Sequence, residues 1–203
     1  MKMKLLTGLA CSLFVLMLGI EAQAISNAGF ETGDFSGWTL TYNGAVSTSW
    51  TGDLGTTYTA QEGNYFARLT AGAGAGVYST LRQQLSLMEG EILSGWAAFD
   101  YRDYSPFADS AYVRILNDAG ALIATPWSEV GTADSNYWDG PWTSWSWAAP
   151  SAGSYYLEYG VANGGDNAAS SVALFDMAPV PEPSTMLLFG VALAGLAVWR
   201  KKS

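Results

Sequence analysis

Tyr112-Val113-Arg114-Ile115-Leu116-Asn117-Asp118-Ala119-Gly120-Ala121-Leu122-Ile123-Ala124 reads as two short strands folded back on each other. The turn between them holds Asn, Asp and Gly, which accept the left-handed backbone of a tight return at little cost. The same pattern extends outward in both directions. Strand candidates fall at residues 65–70, 77–85, 92–99, 111–117, 121–126, 142–148, 154–161 and 172–176, with another return at Asn163-Gly164-Gly165-Asp166. No stretch between them sustains helical spacing. Many short strands separated by Gly, Ser, Thr, Asn and Asp predict an all-β sandwich or barrel. Residues 71–76 alternate Ala and Gly, but no Gly-Lys-Ser/Thr follows, so they read as a strand connection and not a phosphate loop.

The strand pattern occupies residues 25–178 of a 203-residue chain that is 49% hydrophobic and 13% charged and has no His. Within 25–178 there are four Arg, no Lys and 16 acidic residues, a formal charge of −12. Phosphate binding rests on clustered Lys and Arg, so nucleic acid is excluded as a partner. The one Cys, Cys11, lies outside this region. Without His or Cys the domain cannot build a Ser-His-Asp or Cys-His nucleophile, a thiol redox pair, or a His/Cys zinc site. Any metal must be hard and bound by oxygen.

The ends have a different character. Lys2 and Lys4 precede an apolar run over 5–20, and Ala22-Gln23-Ala24 supplies the small residues a signal peptidase needs, so 1–24 reads as a signal peptide. At the other end, three prolines within 179–183 stop any strand. Then comes an apolar run that opens with Met186, Leu187, Leu188 and Phe189 and closes at Trp199, followed by Arg200, Lys201 and Lys202. At about 1.5 Å per residue this run is shorter than the roughly 30 Å hydrocarbon core, so a helix over about 185–199 spans with help from snorkelling basic residues. The basic tail, 200–203, places the C-terminus in the cytoplasm and the domain outside.

Pro181-Glu182-Pro183, an apolar helix and a basic terminus, in that order, resemble the PEP-CTERM sorting signal of Gram-negative bacteria over residues 179–203. The resemblance implies an exosortase-type membrane protease as a processing partner, transient anchoring in the inner membrane, and later transfer to the cell surface or release. It also implies an exopolysaccharide-producing setting.

A second resemblance begins at Asn27-Ala28-Gly29-Phe30-Glu31-Thr32-Gly33-Asp34-Phe35-Ser36-Gly37-Trp38. This is similar to the first-strand motif of jelly-roll, carbohydrate-binding-like modules related to the galactose-binding-domain fold. Further similar blocks lie at 103–109, 141–142, 153–163 and 170–176. The implied fold is a jelly-roll β-sandwich. The resemblance also implies a structural calcium, held by Glu31 and Asp176 where the two ends of the domain meet. Asp176-Met177 replaces the commoner Asp-Asn or Asp-Asp ending and removes one oxygen ligand. Solvated strand-end charges are the alternative for the pair, and no motif demands any other cofactor.

Eight of the nine Trp lie in the domain, four of them in Asn136-Tyr137-Trp138-Asp139-Gly140-Pro141-Trp142-Thr143-Ser144-Trp145-Ser146-Trp147. Trp145 and Trp147 share one face of a strand and read as core filling. Trp138 and Trp142 lie in a loop-rich stretch, which makes them, with Asp139, the ligand candidates: indoles for sugar rings and a carboxylate for hydroxyls. Asp100, Asp103, Asp109 and Asp166 read chiefly as solubilising charges, with a cation site or hydrogen bonds to sugar hydroxyls as the other readings. No local motif singles out the carboxyl pair of a glycosidase. The expectation is therefore an exported, exosortase-sorted, non-catalytic surface or matrix protein that binds exopolysaccharide. A structural or adhesive matrix protein without a glycan site, and a small surface glycoside hydrolase, stand as alternatives.

Overall fold

The computed structural model describes residues 25–131 and 136–177. The signal peptide, the Pro181-Glu182-Pro183 motif, the apolar run and the basic tail lie outside the described residues. Among the described residues no helix is long and apolar enough to cross a membrane, and every regular element is a strand.

Thirteen strands follow in chain order: β1 Thr39–Thr41, β2 Gly44–Ser47, β3 Ser49–Thr51, β4 Thr57–Thr59, β5 Phe66–Thr70, β6 Ser79–Leu87 and β7 Ile92–Tyr101. After them come β8 Ser110–Asn117, β9 Leu122–Val130, β10 Trp138–Asp139, β11 Thr143–Ala148, β12 Gly153–Ala162 and β13 Val172–Met177. One sheet runs β1-β6-β12-β8-β9 and the other β10-β7-β13-β5-β2, with β11 also on β7. Every pairing is antiparallel. From β5 to β8 the chain changes sheet at each strand, which stacks the two sheets into the jelly-roll sandwich.

Period-two alternation decides what lies between the sheets. On β6, Leu81, Gln83, Leu85 and Leu87 are buried, while the intervening residues face outward. On β12, Tyr155, Leu157, Tyr159 and Val161 point inward. Tyr159 lies nearly parallel to Phe175 of the opposite sheet at 4.4 Å and to Trp38 at 5.3 Å, so one aromatic column ties both layers to the opening segment. Trp145 is buried and Trp147 packs against the core, as alternation on β11 requires. Gly95 stands opposite Trp145, where a Cβ would lie 2.9 Å from the indole; the glycine makes room for the ring.

Two expectations are corrected. The Asn27 to Trp38 motif is not a strand but a run of turns. Asn27 donates to Asp34 O and accepts from Thr32 N, while Asp34 Oδ1 accepts from Ser36 N, and these local bonds compete with any sheet ladder. The turns deliver Phe30 and Trp38 to the core. Also, β9 continues past Pro126 to Val130. That is possible because β9 is an edge strand, where a missing N–H costs no ladder bond.

Candidate functional site

The two outer faces of the sandwich differ. On the six-stranded sheet, Phe66, Ala98, Val172 and Leu174 form a second apolar cluster, covered by the β3–β4 hairpin with Trp50, Tyr58 and Trp142. Two acids and their neighbours hold this cover down. Asp100, fully buried, accepts from Trp50 Nε1 at 3.1 Å and from Arg102 Nε at 2.8 Å, and Arg102 pairs with it at 2.7 Å. The guanidinium groups of Arg68 and Arg102 lie 4.2 and 5.0 Å from the Trp50 ring centre. Asp139 accepts from Leu54 N at 3.2 Å and Thr56 N at 2.9 Å. Burial opposes the Asp139 charge, but these N–H donors outweigh it and hold its pKa below the ordinary aspartate value.

Two of the three ligand candidates therefore have structural work. Trp142 is half-buried, edge-on to Tyr58 and Phe66, and its Nε1 donates to Thr59 O at 3.1 Å. Loop composition suggested exposure, but the hairpin, distant in sequence, covers the ring. Asp139 likewise serves the hairpin backbone. Trp138, 39% exposed on β10, keeps a free surface.

Glu31 and Asp176 meet at one loop, residues 60–65. Asp176 accepts from Gln61 N, Glu62 N and Met177 N at 2.7, 3.0 and 2.8 Å. Glu31 accepts from Asn64 N and Tyr65 N at 2.9 and 3.0 Å. Burial pushes the Asp176 pKa up, and the nearby Glu31 charge adds to that. Calcium takes six to eight oxygens. Here five backbone N–H groups face the two carboxylates. These bonds make the pair a hydrogen-bonded clasp between the domain's two ends.

Among the described residues nothing of this kind covers the outer face of the five-stranded sheet, and its polar side chains form an ordered row. Register places Arg82 of β6 beside Glu158 of β12, and Glu158 beside Arg114 of β8, with Thr39 of β1 next to Arg82. Arg82 Nη1 is 3.9 Å from Glu158 Oε2, and Tyr112 donates its hydroxyl to Glu158 Oε1 at 2.9 Å. Each guanidinium is laid on a ring: Arg82 over Tyr156 at 3.6 Å and Arg114 over Tyr112 at 3.7 Å. Such pairs are worth about 0.5–2 kcal/mol, depending on exposure, and fix the planes in place.

Tyr112 lies flat because its neighbour across the ladder is Gly160. A Cβ there would be 2.4 Å from the ring. Burial, with the Glu158 charge second, raises the Tyr112 pKa far above the ordinary tyrosine range, so it stays a hydroxyl donor. The register shifts between Val113 and Ile115 on the β8–β9 ladder, a bulge of the kind that re-aims a side chain, at the position of Arg114. Beside the row is an open groove of about 520 Å³ lined by Gly37, Thr39, Arg82, Gln83, Gln84 and Tyr156. The result is a hydrogen-bonding floor, since guanidinium planes already occupy the Tyr156 and Tyr112 faces. None of these residues was a sequence candidate. The available signal was the outward parity of Arg82, Gln84, Tyr112, Arg114, Tyr156 and Glu158.

Comparison with known proteins bears on the two ends of the problem. Residues 179–202 match the PEP-CTERM protein-sorting motif. The chain thus carries a PEP-CTERM signal behind its β-sandwich. No curated protein matches it. Solved structures similar to this chain include a cleaved adhesin domain of Lys-gingipain from Porphyromonas gingivalis, at 17% identity and TM-score 0.47, covering 77% of this chain and 96% of that one. TmCBM61, solved in complex with β-1,4-galactotriose, is similar at 16% identity and TM-score 0.45, covering 77% and 99%. A family 16 carbohydrate-binding module is similar at 16% identity and TM-score 0.40, covering 78% and 100%.

Proposed function

We propose that this is an exported protein, sorted by an exosortase through residues 179–203, whose domain at 25–178 binds exopolysaccharide at the cell surface or in the matrix without cleaving it. The sorting motif supports the route: signal peptidase removes 1–24, the apolar segment anchors the chain in the inner membrane for a time, and processing near Pro181 follows. The observation that carries the binding reading is the Arg82–Glu158–Arg114 row on an uncovered sheet face. Guanidinium N–H groups, the Gln84 amide and the Thr39 hydroxyl suit the paired hydroxyls of a sugar chain, and the groove beside Tyr156 brings them together. Hydrolysis would need two carboxyls about 5–10 Å apart across a cleft, whereas Glu158 is the one carboxylate that β1, β6, β8 and β12 carry.

The test is co-sedimentation of the detergent-solubilised chain with purified exopolysaccharide. Arg82→Ala and Tyr156→Ala should each weaken retention about tenfold or more while the chain stays folded. Unchanged retention in both variants would sink the binding reading and leave a structural matrix protein. Truncation before Pro181 should leave the domain folded and send it to the wrong place; correct placement would sink the sorting reading.

A further inference from the structure

The end of the sandwich remote from Met177 holds a buried polar knot that neither the clasp nor the open face uses. Alternation carries odd-numbered residues inward on β7, β8, β12 and β13. Just past the strand ends the same parity reaches Asp103, Asp109, Asn163 and Ser171, which are 2%, 0%, 1% and 0% exposed. Ser171 Oγ donates to Asp109 Oδ2, Gly164 N donates to Asp109 Oδ1 at 2.8 Å, and Arg102 N donates to Ser171 Oγ at 2.9 Å. These bonds draw the 102–109 and 163–171 loops together.

The knot has more acceptors than donors. Asp103 Oδ1 accepts from Tyr104 N at 2.8 Å, but Asp103 Oδ2 is buried without a hydrogen-bond partner. Asn163 donates through Nδ2 to Asn167 Oδ1 at 2.9 Å, and its own Oδ1 is likewise buried without a partner. Tyr101 gives its hydroxyl to Phe107 O and so supplies no proton to the acids. Arg102, the basic residue nearest in sequence, is engaged with Asp100 on the outer face. Burial, together with the charge of Asp103, drives the Asp109 pKa up. A buried carboxylate oxygen and a buried amide oxygen, both orphaned, each cost on the order of 1–3 kcal/mol unless something positive meets them. At Glu31 and Asp176 backbone N–H groups meet that need; here none reaches Asp103 Oδ2 or Asn163 Oδ1.

We propose that Asp103, Asp109 and Asn163 bind a hard divalent cation of the calcium class. Two carboxylates and a side-chain amide oxygen are ligand types calcium takes, and the neighbouring loop backbone offers carbonyls to extend the set. The cation joins the 102–109 loop to the 163–171 loop and so fixes the far end of the sandwich.

The experiment is thermal unfolding of the full chain in detergent, with calcium and with chelator, beside a titration with terbium, whose emission nearby Tyr101 can sensitise. Calcium should raise Tm by about 5 °C or more, and terbium should saturate at one site. Asp103→Asn should abolish the calcium shift, whereas Glu31→Gln should keep it. Should Asp103→Asn fail to fold, Asn163→Ala, which leaves both carboxylates, should weaken terbium at least tenfold. Absence of saturable terbium binding to the native chain overturns the proposal. So does a calcium shift that survives Asp103→Asn and disappears in Glu31→Gln. So does stabilisation by acid alone, which would mean that a proton, and not a cation, satisfies the knot.

Discussion

The two outer faces of this sandwich start from the same antiparallel geometry and end in opposite states. Over the six-stranded sheet, Arg68 and Arg102 stack on Trp50, and the hairpin seals an apolar cluster. Over the five-stranded sheet, Arg82 and Arg114 stack on Tyr156 and Tyr112, and none of the described residues seals the row. Four arginines, the whole basic complement of the domain, thus do one kind of contact in two settings. Covered, the contact is part of a core; open, it is a fixed array of hydrogen-bond donors. What surrounds an arginine–aromatic pair, and not the pair itself, decides whether it supports stability or recognition.

The sharpest break in that comparison is Phe66→Ala, which removes a fully buried ring from beneath the hairpin. Its cost should be about 3–5 kcal/mol in chemical denaturation, with no selective effect on polysaccharide retention beyond unfolding. Next is Gly160→Ala on the open side. The added methyl collides with Tyr112, so stability should fall by about 1–3 kcal/mol, and retention should fall with it because the Glu158 contact is displaced. Tyr156→Ala should do the reverse of Phe66→Ala: a denaturation change under about 1 kcal/mol, with retention lost.

The smallest expected effect concerns pH. The Asp139 pKa is held below its ordinary value, so its contribution is complete above about pH 4 and is lost as the pH falls through the lowered value. Asp139→Asn should therefore lower stability near neutrality and flatten the acid limb, so that the two curves converge at low pH. A steeper acid limb in the variant would show that Asp139 does not clamp the hairpin as an anion.

The sequence showed the long strands clearly, because β6 and β12 alternate over nine and ten residues. It did not show β1 to β4, which are three or four residues of mostly Thr, Ser and Gly, too short for any period to register. The core role of Trp145 and Trp147 followed from their parity. The engagement of Trp142 did not, because its cover comes from Tyr58, 84 positions away. The binding row was invisible for the same reason: Arg82, Arg114 and Glu158 stand on three strands and become neighbours only through register. Glu31 and Asp176 both accept from the 60–65 loop, which no motif marks.

The placement of β13 has a mechanical consequence. Its last residue, Met177, leads toward the sorting segment, and β13 is hydrogen-bonded on one side to β5 and on the other to β7. A pull applied at Met177 acts along the strand, so it loads two ladders in shear and cannot peel them open one bond at a time. The clasp at Asp176 sits where that force enters and spreads it into the 60–65 loop. A domain tethered by this end resists tension best in the direction from which a tether would apply it.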